Sequence, residues 1–150
     1  MSIDSEWTFD QYYLWGNLNA SCDNEYKSPI NITTDKAKPC NLICTLDYKY
    51  KPVTCAVKYD KHKRFCIKPG MGCKIVFNNK YYNLTEISVH FPSMHKIDNN
   101  HADCEILLIH KSDESGNENS TDNGVIISRM LKAVGHNYGS VNDFFSQFIF

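Results

Sequence analysis

The sequence predicts a mainly β domain with few short helices, and three patterns carry that expectation. "LDYKYK" (46–51) and "EISVHF" (86–91) alternate apolar and polar residues with the period of a half-buried strand. "CKIVFNNKYYNL" (73–84) reads as a strand, an Asn-Asn turn and a second strand. "CEILLIHK" (104–111) is a near-continuous apolar run, suited to a strand covered on both faces.

The remaining segments are less regular. Residues 1–27 form an irregular aromatic arm with Trp7, Phe9, Tyr12, Tyr13 and Trp15, expected to pack onto the domain surface. "SPINI" (28–32) opens an extended stretch. "CAVKYDKHKRFCIKPG" (55–70) reads as a hairpin-like pair, Cys55–Tyr59 and Arg64–Ile67, around a polar turn. Residues 112–124 are an acidic polar loop. "VIISRMLKAV" (125–134) fits strand or helix by periodicity. "GSVNDFFSQFIF" (139–150) places Ser140 as an N-cap, with Asp143 three residues on. An apolar stripe of Val141, Phe144, Phe145 and Phe148 comes next, so a short helix is expected. No internal repeat is evident, and 150 residues suit one domain over 1–150.

Bulk composition narrows the function. An apolar fraction of 42% supports a real core, and a formal net charge of -1 argues against a protein built to hold nucleic acid. Charge is unevenly spread: Thr45 to Lys80 holds nine basic residues and two acids, and Asp98 to Asp122 holds seven acids and one lysine. Seven cysteines cannot all pair within one chain, and no C-x-x-C occurs, so reduced thiols are expected. "MSIDSEW" has no apolar h-region, and no apolar run approaches membrane-spanning length. These features favour an intracellular or reducing compartment, or incorporation in an assembly. On that view the Asn-x-Ser/Thr triplets at Asn19, Asn31, Asn83 and Asn119 are chance matches.

The ordered set "W…W…C…KSPINI…YYNL…VHFPSMHKID…CEILLIH…NGVIISRMLKAVG" resembles the alpha-class carbonic anhydrases over about residues 7–146. "SPINI" and "PSxHxID", in that order and at matching separations, make the resemblance specific. It implies a twisted central sheet of the alpha-carbonic-anhydrase kind, here truncated at its C-terminal side. It also implies a zinc held by three neutral histidines and an open water position. Two of those histidines stand at i and i+2 on one strand, because a period of two puts both on one face. The third comes from the neighbouring strand.

In this chain the three positions read Ser88, His90 and Leu107. One imidazole does not hold zinc tightly, and a serine hydroxyl is a poor substitute. Other working parts differ as well. The glutamate that comes after Pro-Ser in the family is Met94, and the proton-shuttle histidine aligns with Met71. Glu105 matches the glutamate that bonds the third zinc histidine. With Leu107 in that histidine's place, His95 is its expected partner. His110 matches a histidine that is not a ligand, and Cys104, an odd number of residues from Leu107, points to the opposite face. The segment with the gating threonine, which lies C-terminal in the family, has no counterpart.

Three function classes suit these residues. The leading expectation is a carbonic-anhydrase-like pseudoenzyme with no catalytic residue, no metal and no zinc. It would serve as a structural or interaction subunit of a larger protein assembly, cellular or viral. Phe144, Phe145, Phe148 and Phe150 are its candidate docking residues, at about 1.5–3 kcal/mol for each Phe buried. The alternative is a polyanion-binding or sulfated-glycan-binding module with Lys58, Lys61, Lys63, Arg64 and Lys68 as its basic patch. An active zinc hydratase or esterase with a displaced site is third.

Overall fold

A computed structural model of the chain describes residues 14–19, 22, 27–39, 44–59, 65–112 and 124–133. The described part has one short α-helix, a 3-10 turn at Thr34–Lys36 and ten strands. Helix α1 is Trp15–Leu18. The strands are β1 (Asn31–Ile32), β2 (Leu46–Lys49), β3 (Cys55–Tyr59), β4 (Phe65–Pro69), β5 (Lys74–Phe77), β6 (Lys80–His90), β7 (Lys96–Ile97), β8 (Asn100–His101), β9 (Cys104–Ser112) and β10 (Gly124–Leu131). The 125–134 segment, ambiguous by periodicity, is therefore strand over most of its length. Pairing along all of β9 selects the extended form, a tertiary contact that periodicity alone does not register. The expected C-terminal helix lies outside the described residues, as do most of the N-terminal arm and the interior of the acidic loop.

Seven strands make one antiparallel sheet, in the order β10-β9-β6-β4-β3. β6 is its organiser. Its first half pairs with β5, which carries β2, and its second half pairs with β4. Along its other edge β6 runs against β9. A smaller sheet, β1-β7-β8, has a parallel β1–β7 pair.

The length of β6 departs from the reading of two separate alternating stretches. "YYNL" and "EISVH" are one strand of 11 residues, interrupted by a bulge between Leu84 and Glu86. The sequence contains the signal for it: the apolar phase falls on even positions at Tyr82 and Leu84 and on odd positions at Ile87 and Val89. One extra residue, Thr85, keeps both sets on one face. Its hydroxyl donates to the Ile109 carbonyl at 3.1 Å, which anchors the irregularity.

One sheet face collects Ile67, Val89, Tyr82, Leu84, Ile75 and His110, all buried. The other presents Cys66, Ser88, His90, Glu105 and Leu107. In the middle of β9, Ile106, Leu107, Leu108 and Ile109 are only half-buried. The expectation of full cover on both faces is not met there among the described residues.

Two tight turns fix register. Asn78 and Asn79 have φ of 48 and 65, and Asp98 and Asn99 have 47 and 67. Positive φ at both central residues is the type I′ geometry that suits the twist of a hairpin, and Asn tolerates it. Asn79→Val is expected to lower the unfolding free energy by about 1–2 kcal/mol, whereas Asn79→Gly leaves it unchanged or raised. Urea denaturation of the two variants checks this.

Candidate functional site

Pairing brings the three ligand positions together. Ser88 stands opposite Leu107, and His90 stands opposite Glu105, across the β6–β9 ladder. On its other side Ser88 stands opposite Cys66 of β4. Ser88 is therefore flanked by a thiol and a leucine, with His90 two residues along the same face. Ser88 Oγ and His90 Nε2 form a hydrogen bond of 2.8 Å. Among the described residues no group of three His, Cys, Asp or Glu side chains is arranged to hold a metal ion.

Ser88 with His90 has the spacing of a nucleophile and its base. The surroundings do not support that chemistry. Ser88 is 1% exposed and sits in mid-strand, between two hydrogen-bonded neighbours. Backbone N–H groups committed to a sheet ladder offer no cradle for a developing oxyanion.

Glu105 lies next to this pair and has no exposed surface. Its Oε2 accepts from the backbone N–H of Met94 at 2.7 Å and of His95 at 3.0 Å. Its Oε1 accepts from His95 Nδ1 and from the Ser128 hydroxyl, both at 2.5 Å. Burial pushes the carboxyl pKa up. The Ser128 hydroxyl and the His95 backbone and imidazole more than offset this and hold it below the ordinary range. Donation from Nδ1 leaves Nε2 of a neutral His95 as the acceptor for the Ser28 hydroxyl, at 2.8 Å.

The "PSMHKID" segment is thereby pinned from both sides. Ser93 Oγ donates to the His95 carbonyl at 2.6 Å and accepts from Ala102 N–H at 2.8 Å. Lys96 N–H donates to Ile30 O, and Asp98 N–H to Ile32 O. Asp98 accepts from the Thr34 backbone N–H at 2.8 Å and from its hydroxyl at 2.7 Å, which hold its carboxyl pKa below the usual value. "SPINI" and "PSMHKID" are thus neighbours in space.

Of the remaining positions, Met94 joins this cluster through its backbone N–H. The Met94 side chain is half-buried, and Met71 lies on a turn, 96% exposed. Lys58 and Lys68 are exposed on one face of β3 and β4, and Lys68 forms an ion pair with Glu86. Lys61, Lys63, Arg64, Phe144, Phe145, Phe148 and Phe150 lie outside the described residues. Cys104 is buried, on the opposite face from Leu107. His110, fully buried, bonds Tyr50 OH at 2.6 Å through Nε2 and the Val125 carbonyl at 3.1 Å through Nδ1. Burial pushes the His110 pKa down, against the Val125 and Leu108 carbonyls. Burial also raises Tyr50, helped by Tyr48 and Cys73, to about 12.

Sequence reading missed Ser28, Cys66, Ser93 and Ser128 as members of this cluster. Ser28 and Ser93 stand inside "SPINI" and "PSMHKID" and were within reach. Cys66 and Ser128 enter only through strand register, which no local pattern reveals.

The sequence matches the eukaryotic-type carbonic anhydrase family over residues 10–149. The chain belongs to that family. It is 29% identical over 105 residues to dioscorin DB3L of Dioscorea polystachya, covering 67% of this chain and 38% of that protein. The fold superposes on the Photobacterium profundum alpha-carbonic anhydrase with a TM-score of 0.73 at 14% identity, covering 90% of this chain and 58% of that one. Dioscorin in complex with ascorbate gives 0.70 at 23% identity, with 90% and 56% covered. The chain thus spans little more than half the length of these structures, and 38% of the dioscorin sequence.

The family's zinc does not fit the residues present in this carbonic-anhydrase-like pocket. Of the three positions one is leucine, one is serine, and the single imidazole already shares its Nε2 with that serine. Zinc sites of this kind need three protein donors and an open position.

Two predictions concern the buried polar groups. Glu105→Ala is expected to cost about 3–5 kcal/mol of stability, because it strands the donors around it; chemical denaturation measures this. The second is a pH dependence with two steps. Folding lowers the His110 pKa, so the unfolded chain binds its proton first as pH falls below about 6.5. That contribution is present above 6.5 or so and is lost on the way down to the folded value. Folding also lowers Glu105, so its contribution is complete above about 4.3 and disappears as pH falls through the folded value. Unfolding free energies from pH 8 to pH 3 are expected to fall in both windows, with the upper step reduced in His110→Asn.

Proposed function

We propose that this protein is a catalytically inactive carbonic-anhydrase-like protein that serves as a structural or interaction subunit of a larger protein assembly. The observation that carries this reading is the 2.8 Å bond between Ser88 Oγ and His90 Nε2, with Leu107 directly opposite Ser88. The one imidazole left in the pocket is satisfied by a hydroxyl, and apolar volume stands where a third ligand would be. Met94 and Met71 replace two further working parts, so ligand, gate and shuttle positions are all altered.

The reading makes a quantitative prediction. Purified protein is expected to hold far less than one equivalent of zinc and to show no sulfonamide-sensitive hydration of carbon dioxide. One tightly held equivalent would sink the reading. The register predicts a gain as well: Ser88→His with Leu107→His places three imidazoles on the β6–β9 face. That double variant is expected to bind cobalt with a tetrahedral absorption spectrum, which the parent lacks. The assembly role is tested by sizing the chain alone and in its native extract. A monodisperse monomer in both would count against it.

The second reading is the polyanion module, favoured by Lys58 and Lys68 exposed on one face. The ion pair from Lys68 to Glu86 lowers the charge that face offers. Retention on heparin resin that falls steeply with salt, and falls further in Lys61→Ala/Lys63→Ala/Arg64→Ala, would put this reading first.

A further inference from the structure

The ends of the large sheet are built differently. β2 and β3 are short, four and five residues. They carry Asp47, Lys49 and Lys58, and Pro52 stands between them. Short, charged edges resist pairing with another chain. β10 has eight residues, "GVIISRML", with no proline, no lysine and no acid. It runs in unbroken register against β9. Among the described residues no strand pairs with its outer edge.

Arg129 is the one charge on β10. It is exposed, and among the described residues no carboxylate pairs with it. Its register partner is Ile106, and on the same face Val125, Ile127 and Leu131 are half-buried. On the other face Ile126 is 60% exposed. Beyond β10 the chain is held, with Ala133 N–H donating to Asp103 at 2.6 Å. The result is an eight-residue, largely apolar edge, fixed at its end and marked by a single cation that no described carboxylate meets.

We propose that the outer edge of β10 accepts an extended strand from a partner protein, apolar at alternate positions and carrying a carboxylate opposite Arg129. Main-chain hydrogen bonds to the edge would supply the affinity, and side chains at alternate positions the selectivity. A second copy of β10 is a poorer occupant, because it contains no acid to meet Arg129. The inference rests on the interaction-subunit reading and names the surface and chemistry of its partner.

The test uses the full chain and two synthetic strands of about eight residues. Both alternate valine and threonine, one with a central glutamate and the other with a central lysine. In the free chain every second β10 amide is expected to exchange rapidly with deuterium, and the glutamate peptide to protect it. The glutamate peptide is expected to bind about tenfold tighter than the lysine peptide, the span of a cross-strand attraction against a repulsion. Arg129→Glu is expected to reverse that preference. Edge amides already protected in the free chain would overturn the proposal, since the chain then covers its own edge. Protection that grows with protein concentration would overturn it in favour of a second copy, and equal affinities would overturn the role of Arg129. None of these failures touches the zinc stoichiometry or the hydration assay, so the parent reading stands or falls separately.

Discussion

The carboxylate of Glu105 is the constraint on which the rest of this structure depends. It is a fully buried charge on the central strand β9, and four donors converge on it from three places: the Met94–His95 backbone, the His95 ring and the Ser128 hydroxyl of β10. A buried carboxylate is tolerable only when its lone pairs are met. Meeting them ties β9 to β10 and folds the chain after β6 back over the sheet. The same His95 ring then reaches Ser28, and the backbone on either side of Lys96 pairs with β1. One charge therefore orders the small sheet as well as the pocket. Its place does not require a metal, because every donor it uses belongs to this chain.

The polar groups of the pocket obey the same rules of burial. Among the described residues, four of the five most deeply buried side chains are polar: Ser88, Ser93, Glu105 and His110. Among the described residues every buried side-chain nitrogen and oxygen has a hydrogen-bond partner. An apolar residue at 88 would deprive His90 Nε2 of a neighbour; the serine gives it one. Leu107 on the adjoining strand fills space without adding a polar group. The backbone register between β6 and β9 is meanwhile that of two regularly paired strands beyond the Thr85 bulge. The pocket's side chains thus stand on a regular ladder.

Much of this was legible in the sequence, for physical reasons that differ from element to element. The type I′ turn at Asn78–Asn79 and the alternation of "EISVH" are local signals, and both elements form where those signals lie. The pocket positions were legible because i and i+2 on a strand share a face, and "PSxHxID" marks the segment that packs beside them. The continuity of β6 was harder, since a bulge looks like a break until one sees that the apolar phase is restored across it. The strand character of 124–131 depended on β9, a partner on the far side of the acidic loop, and periodicity alone left it open. The placement of Ser128 on Glu105 depends on that pairing and was therefore out of reach.

The half-buried middle of β9 bears on what the fold is for. A run such as Ile106–Leu107–Leu108–Ile109 belongs between two covered faces, because water against that much apolar surface is unfavourable. The strands on either side of it already satisfy its backbone. Among the described residues its faces are only partly covered, and the half-burial of Val125, Ile127 and Leu131 extends the same pattern to β10. A sheet whose backbone pairs are complete in the middle but whose apolar faces are not is stable enough to keep its register and still gains by contact. The Glu105 network fits such a scaffold, because it needs no group from outside the chain. The network holds β9, β10 and the 92–98 segment in one geometry.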